Sequence, residues 1–167
     1  MPQLKPPSDS RFNDNEREAC DEEFTNRKFQ KPSHGEFDAQ IENWAESLAI
    51  EKILNTTSHD INFREENGTE FIVRPCGFLL NAKPEEEEVK KEDGISFVRT
   101  KFVADPVGER FLAAIIPLQK KLGGVIVGSI IAAQTYPGKV AAMTPAKGFE
   151  RVPIDQKRMN PLKFTIF

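Results

Sequence analysis

Residues 61–73 constrain the fold more than any other stretch, because only one hairpin register satisfies both of their faces. Two β-forming runs, INFRE and TEFIV, flank Glu66-Asn67-Gly68. A two-residue Asn-Gly turn would set Ile61 against Arg74 and Glu65 against Glu70, mixing apolar and like-charged partners. A three-residue loop with a left-handed Gly68 instead sets Phe63 against Phe71 and Ile61 against Val73 on one face. It also sets Arg64 against Glu70 on the other, so the spacing predicts the bulged register.

Ahead of the hairpin, Ser33 and Glu36 have the spacing of a helix capping box. Phe37, Ile41, Trp44, Ala45 and Leu48 then recur at helical intervals, and Ile50, Ile53 and Leu54 widen the apolar face up to Asn55-Thr56-Thr57. Trp44, the only tryptophan, is expected in the core. After the hairpin, residues 78–81 read as a short buried strand. Residues 82–94, AKPEEEEVKKEDG, read as a solvated acidic loop, and residues 95–103 read as a strand.

Asp105 as N-cap, Pro106 in the first helical position and Gly123 as a left-handed stop frame a helix from residue 106 to about 116. Pro117 should break or kink it. The competing reading is a hairpin turning at residues 105–108. The apolar run at residues 124–133 is too short for a bilayer, which takes about 20 residues, and its β-branched content predicts a buried central strand. A further strand is expected from Lys139 to Thr144. The final residues, Lys163 to Phe167, read as an edge strand or an anchor for a neighbouring subunit.

Charge divides the chain. Residues 1–94 carry 12 Lys and Arg against 22 Asp and Glu, and residues 95–167 carry 11 against 4. Residues 1–32, rich in proline and charge, read as an arm, partly disordered or docked on a partner through Phe12, Phe24 and Phe29. Residues 33–167 read as one α+β domain dominated by strands, a sheet or partly open barrel with a packed amphipathic helix and an N-terminal extended arm.

Several chemistries find no support. Gly123 to Ser129 lacks the lysine of a phosphate loop, and Gly128-Ser129-Ile130 lacks the glycine spacing of a nucleophile elbow. Gly124, Gly128 and Ala132 signal close approach of another element. The glutamate run lacks the alternation and central glycine of a calcium loop, and two histidines, His34 and His59, are too few for a histidine metal site. No metal or cofactor is therefore expected. Cys20 and Cys76 make no disulfide framework, and both glycosylation sequons, at Asn55 and Asn67, read as chance matches. The opening residues lack a signal-peptide core, so a cytoplasmic or virion-internal location with reduced thiols is expected.

The leading functional expectation is a non-catalytic interaction or structural-assembly subunit, with a protein partner or self-association and no membrane insertion. Its candidate contacts are Phe12, Phe24, Phe29, Phe164 and Phe167. The alternative is a single-stranded nucleic-acid-binding protein using Arg99, Lys101, Lys120, Lys121, Lys139, Arg151, Lys157 and Arg158, with aromatic residues between them. A small enzyme built around Cys76 or a carboxylate ranks third, with no catalytic residue assigned.

Overall fold

The computed structural model describes residues 34–167, and side chains from residue 39 onward. The capping box at Ser33 and Glu36, Phe37 and the arm with Phe12, Phe24 and Phe29 lie outside the described side chains. Three α-helices occur among the described residues: α1 (His34–Ile50), α2 (Pro106–Leu122) and α3 (Ile130–Thr135). The strands are β1 (Ile53–Asn55), β2 (Ile61–Arg64), β3 (Glu70–Val73), β4 (Ala82–Glu92), β5 (Ile95–Ala104), β6 (Val125–Gly128), β7 (Ala141–Pro145) and β8 (Met159–Thr165).

Six strands form one sheet in the order β1-β6-β7-β8-β2-β3, while β4 and β5 form a separate two-stranded ribbon. The six-stranded sheet nearly closes on itself: an isolated bridge joins Asn55 of β1 to Pro75, just past β3. The Cys76 N–H donates to the Asn55 carbonyl at 2.8 Å across that seam. The result is an α+β fold around a nearly closed, barrel-like sheet. Its interior holds Ile53, Ile61, Phe63, Val73 and Val127, with Phe71, Val125, Met143, Met159 and Phe164 packed against them.

The hairpin of β2 and β3 adopts the bulged register, with Phe63 opposite Phe71, Ile61 opposite Val73 and Arg64 opposite Glu70. Gly68 sits at φ +89°, the left-handed region that the loop requires. Stacking of Phe63 on Phe71, with centroids 5.4 Å apart, fills the inner face.

Helix α1 ends earlier than its apolar pattern suggests. Ile50 is its last residue, Lys52 turns left-handed at φ +59°, and Ile53 and Leu54 belong to β1. Parallel pairing with β6, Ile53 beside Val125 and Leu54 beside Ile126, buries them instead. The Lys52 ammonium donates to the Leu122 carbonyl at 2.8 Å, placing a cation at the C-terminus of α2.

Helix α2 has the expected caps. The Asp105 carboxylate accepts from the Val107 N–H at 2.9 Å, Pro106 opens the helix, and Gly123 closes it at φ +79°. It runs through Pro117 to Leu122 rather than stopping at residue 116. Pro117 and Ala113, whose carbonyl loses its helical donor, are both exposed, so water can satisfy that carbonyl. On the opposite face Phe111, Leu112 and Ile115 are fully buried and hold the helix in place.

The apolar run at residues 124–133 is not one strand. Only Val125–Gly128 is extended; the Ser129 hydroxyl then accepts from the Ala132 N–H at 3.1 Å and starts α3. At Gly128 an added Cβ would lie 3.0 Å from Val140 and 3.2 Å from Ala132, so close approach explains this glycine. Residues 78–81 form no strand, although Leu80 is buried. Residues 82–94 are not a loop: 82–92 form β4. At the C-terminus, Phe164 and Thr165 pair with β7, and β8 meets β2 at Met159.

Two polar features tie these elements together. Asn55, 1% exposed, donates from Nδ2 to the carbonyls of His59 at 2.9 Å and Val73 at 3.0 Å. Its Oδ1 accepts from the Thr57 N–H and hydroxyl, and the Thr56 hydroxyl donates to the Val127 carbonyl. The buried tripeptide read from sequence as a helix end is thus a fully bonded plug at the seam. The buried Tyr136 hydroxyl donates to the Asn81 carbonyl at 3.0 Å and accepts from the Asp105 N–H at 2.9 Å, fastening the base of the ribbon.

Candidate interaction surface

Ribbon β4–β5 pairs without interruption from Ala82 and Ala104 to Glu92 and Ile95, except for a bulge between Glu88 and Lys90. Its tip is a two-residue turn in which Asp93 and Gly94 both have positive φ, at 50° and 78°. Both positive angles define the mirror-image turn that matches strand twist, which Asp-Gly favours. Except at its base, the ribbon is exposed on both faces.

That exposure conflicts with its composition. Val89, Ile95, Phe97, Val98 and Phe102 are apolar, yet Phe97 is 44%, Val98 48% and Phe102 40% exposed. One face carries Ile95, Phe97, Arg99 and Lys101; the other carries Val98, Thr100 and Phe102. The Lys90 ammonium lies 4.7 Å from the Phe97 ring centroid. Glu87 stands opposite Arg99 and Glu85 opposite Lys101. Arg99 and Lys101 form no ion pair within 4 Å among the described residues. An isolated two-stranded ribbon is marginally stable by itself, and exposed apolar side chains in a row are the feature that singles this one out.

The other candidate residues are dispersed. Phe164 points into the barrel, its ring 6.5 Å from that of Phe63, so it is spent on the chain's own core. Phe167 remains 48% exposed. Lys120 and Lys121 lie in the last turn of α2, and the Lys139 ammonium is paired with Glu109 at 2.9 Å. Arg151 and Lys157 lie on either side of the short 3-10 turn Ile154–Gln156. Arg158 donates from Nε to the Glu70 carboxylate at 3.0 Å. The basic residues therefore occupy four separate segments of the chain, and two of them already hold carboxylates.

A cleft of about 510 Å³ is lined by Arg64, Glu65, Glu66, Ala146, Lys147 and Asn160. Its guanidinium is engaged: Arg64 donates to Glu70 at 2.8 Å and lies 5.5 Å from the Phe149 ring centroid. The hydrogen bonds from Arg64 and then Arg158 hold the Glu70 carboxyl below the usual carboxylate range. A depressed folded-state value means that Glu70 contributes stability above its ordinary pKa and loses it as pH falls through the folded value. A carboxyl-carbon NMR titration should therefore place the Glu70 midpoint below that of an unpaired glutamate, and Arg64→Gln should raise it. Because the pair is exposed, the accompanying stability change should be small and weakened by salt.

The Cys76 thiol donates to the Phe78 carbonyl at 3.5 Å, and burial pushes its pKa up, away from a reactive thiolate. The carbonyl of His59 is bound by the seam plug. Among the described residues, no cluster of three or more His, Cys, Asp or Glu could hold a metal ion. Nor is any helix among them long and apolar enough to cross a membrane.

Fold and surface together define a class: an α+β protein with a nearly closed six-stranded sheet and a long exposed β-ribbon. No protein-family model matches the chain, no curated protein matches it, and no solved structure matches it.

Proposed function

We propose that this protein is a non-catalytic interaction or structural-assembly subunit whose contact element is the β4–β5 ribbon. The carrying observation is the row of exposed apolar side chains on a ribbon that has no third strand among the described residues. A fold gains nothing internally from a ribbon that extends into solvent beyond its base with Phe97, Val98 and Phe102 left exposed.

The test places a photo-crosslinking residue at Phe97 or Phe102, and as a control at Ile154, which is 89% exposed on the 3-10 turn. Irradiation in the cells that make the protein should give discrete crosslinked species from the ribbon positions and none from the control. Absence of any species from the ribbon, or equal yields from Ile154, overturns the proposal.

A further inference from the structure

The two long edges of the ribbon differ in their capacity to accept another strand. Edge β4 is blunted three times over. Pro84 has no N–H, four consecutive glutamates follow it, and the bulge at Val89 breaks the ladder. These are devices by which natural sheets discourage edge pairing. Edge β5 has neither proline nor bulge from Ile95 to Ala104, since the register shift falls on the opposite strand, and its only charges are Arg99 and Lys101.

The pairing also shows which backbone groups face outward. Pro84 is opposite Phe102. A proline cannot supply the N–H of a hydrogen-bonded pair, so this is a non-hydrogen-bonded pair. Phe102, and with it Thr100 and Val98, therefore turn their N–H and C=O groups away from β4, toward solvent. Along that open edge the side chains alternate between cationic Arg99 and Lys101 on one face and Val98 and Phe102 on the other.

We infer that edge β5 binds an extended segment of a partner protein as a third strand, and that this segment alternates acidic and apolar residues. Its acidic side chains lie beside Arg99 and Lys101, and its apolar side chains cover Val98 and Phe102. Main-chain hydrogen bonds to Val98, Thr100 and Phe102 supply register, as in other strand-addition complexes. The inference rests on the ribbon being the contact element and adds the edge used and the chemistry of the occupant.

Fluorescence anisotropy with the full chain tests it, using a labelled synthetic peptide of alternating Glu and Val at low salt. Saturable binding is expected. It should weaken by about tenfold or more in an Arg99→Glu/Lys101→Glu variant, and it should be lost when alternate peptide nitrogens are methylated. Both substitutions are on exposed positions, and unchanged thermal melting shows that the variant is folded. The inference is overturned by no binding at low salt, equal binding of a Lys and Val peptide, indifference to N-methylation, or preferential binding of a single-stranded oligonucleotide. Sedimentation showing that a second copy covers β5 and is not displaced by the peptide does the same. Crosslinks at Phe97 together with failed peptide binding would leave the contact-element reading standing and remove this one.

Discussion

Phe111→Ala is expected to lower the unfolding free energy by about 3–5 kcal/mol, the range for emptying a fully buried aromatic position. Phe111 lies parallel to Phe78, with ring centroids 4.2 Å apart, and meets Trp44 edge-on at 4.8 Å. The three rings join α1, α2 and the segment after β3. Truncation leaves a void that two large, rigid neighbours cannot collapse to fill. Urea denaturation measures the loss as a lower midpoint at constant slope. Trp44, as the sole tryptophan, reports the same cavity directly through its emission. Phe111→Leu should cost less, because it retains most of the volume. A loss below about 1 kcal/mol for the alanine variant would contradict a packed aromatic cluster at this site.

Asn55→Asp is expected to be comparably severe near neutral pH, at about 3–5 kcal/mol, the cost of an uncompensated buried charge. The substitution removes the two N–H donors that serve the His59 and Val73 carbonyls and brings a carboxylate against those oxygens. Burial and the facing carbonyls raise the folded-state pKa of such a group. A raised value means that the penalty is absent below the unfolded pKa of about 3.9 and grows as pH rises toward the folded value. The stability difference from the parent chain should therefore shrink on acidification. Asn55→Ala, which leaves buried groups unpaired without adding charge, should show a deficit independent of pH. Chemical denaturation of all three chains across mildly acidic to neutral pH measures both trends. A pH-independent deficit for the aspartate variant would show that residue 55 is not sealed from water.

Much of the barrel was legible where two independent constraints agreed. The β2–β3 register followed from apolar pairing on one face and the Arg64 and Glu70 pair on the other. The caps of α2 followed from Asp105, Pro106 and Gly123. Reading failed where one cue stood alone. The four glutamates suggested a loop because charge usually means solvent, but a ribbon solvated on both faces shows no apolar alternation in β4. Asp93-Gly94 was the overlooked signal, a turn pair between two runs able to form strands. In residues 124–133 apolar character is continuous, so hydropathy could not separate β6 from α3; only Ser129, an N-cap inside the run, marks the break. At Pro117 a local rule gave way to burial on the opposite helix face.

The proposed interaction surface was half visible. Arg99 and Lys101 stood out as cations, and Phe97 and Phe102 as aromatic neighbours, but as members of a basic half rather than of one projecting element. Their common ribbon follows from residues 82–92 forming a strand. Phe164 showed the reverse: its apolar setting suggested a partner anchor, whereas β8 inserts between β7 and β2 and spends that ring on the barrel. Strand order depends on contacts distant in sequence, which composition and spacing do not encode.

The interior position of β8 also bears on how the chain is made. Phe63 of β2 finds its neighbour across the sheet only at Met159. At elongation rates of about 5–20 residues per second, the emerging β2–β3 hairpin waits roughly 5–20 s for that strand. During this interval its inner row, Ile61, Phe63, Phe71 and Val73, has no barrel to enter. Sheet completion is thus held back until β8 has been made, and the nascent hairpin is a segment on which ribosome-associated chaperones should act.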